Sequence, residues 1–430
     1  MVENNFIGKC TGYNDKGQGI VFENGLVYFV SNLIEGEVAE LRVIDIKKRY
    51  GIASIKKLIE TSNNRNKFEC SVYDKCGGCQ ISHLSYSEQL RFKKEKVIAC
   101  LKNNSDLVSL VNDVIGCSEQ LRYRNNVQIH TDNTSEFKMG FYALGSNDVV
   151  EFDDCLIQSE KSNKIIKECK KIILKYKLED AILSINVRYV ASSNNIMIIF
   201  KSTHDISGCI DFIDEIRKVD ESIVSIVMNS KRDKVLFGTK HILENSNGYT
   251  FRVNYNSFYQ VNTSQTSVLY DYIKKISDVK NTDTIIDLYC GTGTIGITLA
   301  KDAKEVFGVE LVKGSILNAK YNAKINNIDN IKFICDSASN AAKKLSANKI
   351  KPSIVIVDPP RKGCDKELLE TIYNMYPEKI IYVSCDFSTC IRDIEILRNY
   401  GYDVLSIQPI DMFPNTYHVE TVVLMSRVDK

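Results

Sequence analysis

Asp287–Ala300 reads DLYCGTGTIGITLA, with glycines at 291, 293 and 296 in the spacing Gly-x-Gly-x-x-Gly directly after the apolar run TIID. An apolar run, a glycine turn and then a helical continuation are what a nucleotide-binding α/β unit needs at its first strand. Outward from this stretch, from about Phe251, short apolar runs alternate with amphipathic segments. TIIDL, EVFGVE, IKFIC, SIVIVD and KIIYVSC read as parallel strands, and YDVLSIQPI and ETVVLMSRV as a pair able to run antiparallel. The alternation predicts a Rossmann-like α/β domain over 251–430.

Ligands of such a sheet gather outside the carboxyl ends of its strands. Those ends carry Asp287 with Tyr289, Glu310, Asp336, Asp358 and Cys385. An Asp after a strand is often only the N-cap of the next helix, but that reading does not cover a whole succession of strand ends. Glu310 suits the two hydroxyls of a ribose, which fits NAD and S-adenosylmethionine equally. The lack of a second nucleotide-binding half, with Asp358-Pro359-Pro360 at the fourth strand, favours S-adenosylmethionine beside a substrate base.

Residues 1–60 alternate apolar and polar positions in short runs, with turns near Asp15-Lys16-Gly17 and Asn24-Gly25, and predict a small all-β barrel. TSNNRNK reads as a linker. Residues 61–250 predict a mixed α+β domain: a charged helix over 87–103, strands in RNNVQIHT and FKMGFYAL, a helix over 160–177, and strands in LSINVRYV and NIMIIF. It opens with Cys70-x5-Cys76-x2-Cys79, whose glycines 77 and 78 let the backbone bend around a metal. Spacing alone leaves zinc, with His83 completing the set, and iron-sulfur both open.

A chain of 430 residues, 44% hydrophobic, has room for two to three domains. No run approaches the roughly 20 apolar residues of a membrane span, and MVENNFIGKC lacks the features of a secretion signal, so a cytoplasmic protein is expected. Fourteen cysteines are too sparse for a disulfide scaffold and read mostly as small buried hydrophobes. The net charge of +2 hides two basic clusters, Arg42 to Lys57 and Arg91 to Lys96. Either could be a solvated face or a nucleic-acid contact.

SFYQVN at Ser257–Asn262, DLYCGTGT at Asp287–Thr294, DPPR at Asp358–Arg361, YVSC at Tyr382–Cys385 and HVETV at His418–Val422 follow one another in an order that resembles the RNA uracil-5-methyltransferases, the TrmA/RumA-like family. The resemblance implies Cys385 as a nucleophile toward carbon 6 of uracil and Glu420 as the base that removes the carbon-5 proton. It implies Gln260, Tyr289, Glu310 and Asp358 as S-adenosylmethionine or substrate contacts. Phe258 is assigned to the target ring and Asp336 to the adenine. Cys70, Cys76 and Cys79, joined by Cys155, resemble the subset that carries a [4Fe-4S] cluster, with zinc as second choice, and the N-terminal barrel resembles a TRAM domain of the oligonucleotide-binding type.

On this reading the substrate is structured RNA, foremost 23S rRNA, and the protein is a monomer. A tRNA uridine-5 methyltransferase and a non-catalytic RNA-binding or assembly factor are the alternatives. Arg361 stands where a cytosine-5 enzyme would have a second cysteine. Phe141, Tyr142 and Tyr123 are candidates for stacking on RNA, with Arg122 and Arg124 for phosphate. A helix N-terminus and a cation are expected to depress the Cys385 thiol. The family pattern commonly has Asn-Pro after the nucleophile. Here Asp386-Phe387 follows, and its added charge would oppose the thiolate unless it points away.

Overall fold

The computed structural model describes residues 5–428. The outermost residues of the expected first and last domains, 1–4 and 429–430, and with them the start of the stretch read for a secretion signal, lie outside the described residues. Asn5–Tyr13, Gly19–Glu23, Leu26–Val30, Val38–Ile46 and Gly51–Glu60 close into a barrel around Cys10, Val21, Val30, Leu41 and Ala53. Asn24 and Gly25 take φ of 47° and 77°, the left-handed pair that a two-residue hairpin needs, and they pin the register Glu23↔Leu26.

A seven-stranded sheet follows, in the order Lys234–Gly238, Ile223–Asn229, Asn195–Ser202, Ile182–Val190, Asn126–Asp132, Lys138–Tyr142, Val149–Val150. The amphipathic helices Glu160–Lys175 and Ile210–Lys218 bury their apolar faces on it through Ile165, Ile172, Phe212 and Ile216. The hairpin His241–Ser246 with Tyr249–Asn254 then packs Ile242, Phe251 and Val253 into the same core as Ile285 and Ile356. The expected boundary at 250/251 thus falls inside a strand.

The C-terminal sheet runs Ile331–Cys335, Glu305–Glu310, Thr284–Leu288, Ile354–Val357, Lys379–Ser384, Glu420–Arg427, Tyr402–Ile410. Its first five strands are parallel and the last two antiparallel, as the sequence predicts. Helices cover both faces, so strands such as TIIDL are buried along their whole length. The strand order turns at Thr284–Leu288, and there the glycine loop begins.

Helix Tyr86–Ala99 joins the two ends of the chain. Phe92 packs with Ile34, Ile81 and Leu84 beneath the barrel, while Val97 enters the C-terminal core. Lys93 and Asp411, both fully buried, form an ion pair, and Lys93 also donates to the Phe413 carbonyl at 3.0 Å. Among the described residues no helix is long and apolar enough to cross a membrane.

Candidate active site

Asn262 builds the entry to the site: its side chain caps helix Thr263–Ser277 by accepting from the Gln265 amide, and its amide donates to the Met412 carbonyl at 3.1 Å. Just ahead of it, Asn318 donates to the Ser257 hydroxyl at 2.9 Å and Asn125 donates to the Gln260 carbonyl at 3.0 Å. The SFYQVN segment is thereby held against the sheet, while the Phe258 ring is left 75% exposed.

In the glycine loop, Gly293 has φ 83° and a Cβ there would stand 2.9 Å from the Phe333 ring, so no other residue fits without movement. A Cβ on Gly296 would lie 3.0 Å from Asp287 Oδ2, the atom that accepts from the Gly296 amide. Gly291 meets nothing within 4 Å, leaving its backbone open to a ligand. Tyr289 holds φ 65°, a conformation that costs a non-glycine residue about 1 kcal/mol or more and concentrates at functional sites. The Glu310 carboxylate accepts from the Gly291 amide at 3.2 Å and the Val312 amide at 2.8 Å. Two backbone amides thus fix it at the lip of the loop, with lone pairs to spare for hydroxyl donors.

A cavity of about 1350 Å³ runs along these strand ends. Phe258, Gln260, Tyr289, Glu310, Asp336, Asp358, Cys385 and Glu420 all line it. Residues drawn from 163 positions of chain therefore meet on one surface, Gln260 and Tyr289 toward the loop, Cys385 and Glu420 toward the other end of the sheet. Asp287 and Cys290 are not in its walls: Asp287 is buried behind the loop and binds Gly296, with its carboxyl pushed up to about 7 by burial and then by the Asp358 and Glu310 charges. Burial holds the Cys290 thiol far above its ordinary value.

Glu420 is fully buried beside Asp358, and burial followed by the Asp358 charge raises its carboxyl well above the carboxylate range. Burial raises Asp358 too. Each carboxyl of such a pair opposes the ionisation of the other. Cys385 stands at the end of strand Lys379–Ser384, immediately before helix Phe387–Asn399. The expected depression of its thiol is not found. Burial, then the Glu420 and Asp358 charges, hold it above the ordinary value, and Arg361 pulls it down only in part.

The charge of Asp386 is not among the causes. Its carboxylate turns into the helix end and accepts from the Ser388 amide at 3.1 Å and the Ser388 hydroxyl at 2.5 Å. The departure from the family pattern is thus absorbed as an N-cap. Arg361 and His418, not assigned a role from the sequence, also line the cavity, and the cue was present in DPPR and HVETV. His418 is kept neutral, its pKa pushed down to about 4 by burial and nearby cations.

Cys70, Cys76, Cys79 and Cys155 line a separate cavity of about 410 Å³ with Phe68, Tyr73 and Phe152. Burial raises the Cys76 and Cys79 thiols and pushes Cys155 up to about 11, and the four act on one another electrostatically. His83 is not in these walls; its Nδ1 pairs with the Tyr73 hydroxyl at 2.8 Å. Among the described residues no three His, Cys, Asp or Glu side chains close tightly enough to grip a metal ion. The donor set fits a thiophilic centre, since four thiols and apolar rings face one space.

The RNA-stacking candidates divide. Tyr123 is buried and donates to the Pro414 carbonyl at 3.0 Å, so it is core. Phe141 stacks on Phe152 and Tyr142 on His130, and both line the cysteine cavity rather than the larger one. Arg122 is held by Asp154 through two bonds of 2.7 Å, leaving little of it for phosphate. Arg124 borders both cavities.

Comparison with known proteins gives a consistent set. The family model described as tRNA (Uracil-5-)-methyltransferase matches residues 85–428. A Clostridium tetani protein described as an uncharacterized RNA methyltransferase is 38% identical over 440 residues, covering 97% of this chain and 95% of that protein. One from Halalkalibacterium halodurans with the same description is 34% identical, covering 95% and 94%. The crystal structure of Pyrococcus abyssi tRNA (uracil-54, C5)-methyltransferase in complex with S-adenosyl-L-homocysteine superposes with a TM-score of 0.76 at 26% identity, covering 98% of this chain and all of that one.

Proposed function

The chain belongs to the RNA uracil-5-methyltransferase family and is an S-adenosylmethionine-dependent RNA methyltransferase, and from that premise we propose that it methylates carbon 5 of a uridine in structured RNA by covalent catalysis. The observation that carries this reading is the single cavity in which the glycine loop, Glu310, Cys385 and the buried Glu420 open together. Gln260, Tyr289, Glu310 and Asp358 would hold S-adenosylmethionine, which would supply an electrophilic methyl group on a sulfonium.

Carbon 5 of uracil is a weak nucleophile. Attack of the Cys385 thiolate on carbon 6 would form a C–S bond and move the ring electrons to an enolate, whose carbon 5 would take the methyl as the sulfonium S–CH3 bond breaks and the cofactor leaves as the neutral thioether. Glu420 removes the carbon-5 proton, the double bond re-forms and the thiolate leaves. To Phe258, exposed in the same cavity, we assign stacking on the extruded base, and to Asp336 contact with the adenine. This order needs Cys385 and Glu420 ionised in turn, against the burial that raises both groups. A sulfonium in the cavity favours both anions, and Arg361 lies beside the thiol to stabilise it.

For the substrate we propose 23S rRNA, on the combination of the barrel and the four cysteines. A second reading, a tRNA, has support of its own. The Pyrococcus tRNA enzyme aligns along 98% of this chain, so the barrel does not separate the two. Cys70, Cys76, Cys79 and Cys155 we assign to a [4Fe-4S] cluster with a folding or RNA-positioning role, zinc being the second choice. The fourteen cysteines are all free, which suits the cytoplasm, where we place the protein as a monomer.

Methyl transfer from labelled S-adenosylmethionine to unmodified rRNA and tRNA transcripts, with mapping of the labelled nucleotide, tests the reading. Label on a 23S uridine that disappears with Cys385→Ala is expected. Equal labelling by that variant would refute the mechanism, and label on tRNA alone would replace the substrate.

A further inference from the structure

A second cavity, of about 570 Å³, abuts Cys385 from the side of the barrel. Three parts of the chain build it: the barrel turn at Tyr13 and Asp15, helix Tyr86–Ala99 through Phe92 and Lys96, and the catalytic domain through 385–388 and 417–419. It shares only Arg361, Cys385, His418 and Val419 with the larger cavity, so these four side chains form the partition. A uridine that reaches Cys385 therefore has this second cavity directly beside it.

The walls have the chemistry of a base site. Lys96 donates to the Tyr417 carbonyl at 2.9 Å and its ammonium lies 4.6 Å from the centre of the Tyr417 ring. No carboxylate among the described residues comes within ion-pair distance of it, though Asp15 and Asp386 act on it at longer range. The Tyr417 and His418 rings lie 4.3 Å apart, tilted by 40°, and Tyr417 also packs against the Phe92 cluster, so the pair lines the cavity as a fixed aromatic wall. Phe92, Val97 and Val419 supply the apolar part. Asp15, Glu95 and Asp386 in the walls repel a phosphodiester, whereas the edge of a base offers N–H donors to a carboxylate and acceptors to an ammonium. Asp386 and Phe387, where the chain departs from the family pattern, both belong to this wall.

We propose that this cavity is a subsite for a nucleobase adjacent to the methylated uridine in the same RNA strand, held against the Tyr417–His418 wall and read by Lys96; the proposal rests on the uridine-5 reading above. The site makes delivery of the target conditional on its neighbour, and so contributes to the choice of uridine.

The test uses the full-length protein, S-adenosylmethionine and a synthetic RNA spanning the mapped uridine, with 5-fluorouridine at the target. Fluorine cannot leave as a proton, so the Cys385 adduct persists and its rate of formation can be read on a denaturing gel. Each neighbour is made abasic in turn, which keeps every phosphate. One of the two abasic RNAs is expected to react about tenfold more slowly than the intact RNA. Tyr417→Ala and Lys96→Met should slow the intact RNA and shrink that difference to about twofold or less, while S-adenosylhomocysteine binding measured by calorimetry stays as in the wild type. Equal rates for the intact and both abasic RNAs overturn the subsite. A penalty that persists in full in both variants overturns its location here. No adduct with the intact RNA overturns instead the uridine-5 reading, which keeps the two failures apart.

Discussion

Cys385 carries less charge assistance than its position suggests, because the two carboxylates that burial keeps near it, Glu420 and Asp358, work against a thiolate. If Glu420 is the base, Glu420→Gln should methylate the ring and then stall. A denaturation-stable protein–RNA product is expected to accumulate, with turnover down by about 10²–10⁴, and to vanish in the Cys385→Ala, Glu420→Gln double variant. The acid pair also predicts a pH dependence of stability. Both folded-state carboxyls lie above their unfolded values, so the folded chain binds more protons in that window and stability falls as pH rises through it. Glu420→Gln should therefore melt above the wild type at pH 8, and the difference should vanish near pH 4. Melting curves across pH check this, and an unchanged difference at both ends would refute the raised pair.

At the scale of elements, the basic run Arg91 to Lys96 shows what periodicity could and could not tell. The helix expected over 87–103 is found at Tyr86–Ala99, and three of its cations are spoken for within the protein, Lys96 being the exception. Arg91 meets Glu88 and Glu95 and is also paired with Glu35, Lys94 meets Asp113, and Lys93 is buried on Asp411. Asp411 lies 318 positions away in the chain, and no local pattern reveals a partner at that separation. Lys93→Met leaves a buried carboxylate alone and should cost about 3–5 kcal/mol in urea unfolding, much of it recovered by Asp411→Leu in the same chain. Strands and the glycine loop were legible because they rest on local rules: TIIDL is apolar at every position, Asn24-Gly25 sets its own turn, and Gly293 has no alternative. The gathering of Glu310, Asp358 and Cys385 was legible through the rule that strand ends share one edge, that of Gln260 and Glu420 only through the resemblance of their motifs. Burial of Tyr123, the capping turn of Asp386 and the sign of the Cys385 shift depend on three-dimensional surroundings, and the sequence could not supply them.

Across the whole molecule, residues 61–85 are the weak joint. They connect the barrel to helix Tyr86–Ala99 with no helix and no extended strand, an uncommon length for a structureless connection within a compact fold. Among the bonds that hold them are Arg65 on Glu37, Gly77 on the Tyr142 carbonyl, Leu144 on the Lys75 carbonyl, and the Gln80 and Ile81 amides on the Asn415 carbonyl, with Ile81 and Leu84 buried beneath the barrel. Three of the four clustered cysteines lie in this stretch and the fourth, Cys155, lies on the central domain, so a centre bound by all four would close a long loop and tie the joint to the sheet. Because Asn415 sits in the segment that leads to Glu420, the same joint supports one wall of the catalytic cavity. Removal of iron from anaerobically prepared protein, or Cys155→Ser, is therefore expected to open 61–85 to limited proteolysis, read by mass spectrometry. S-adenosylmethionine binding should persist, since the glycine loop and Glu310 are held by the C-terminal sheet alone. Cleavage rates in 61–85 that match the iron-loaded protein would show that the bonds just named suffice without a metal centre.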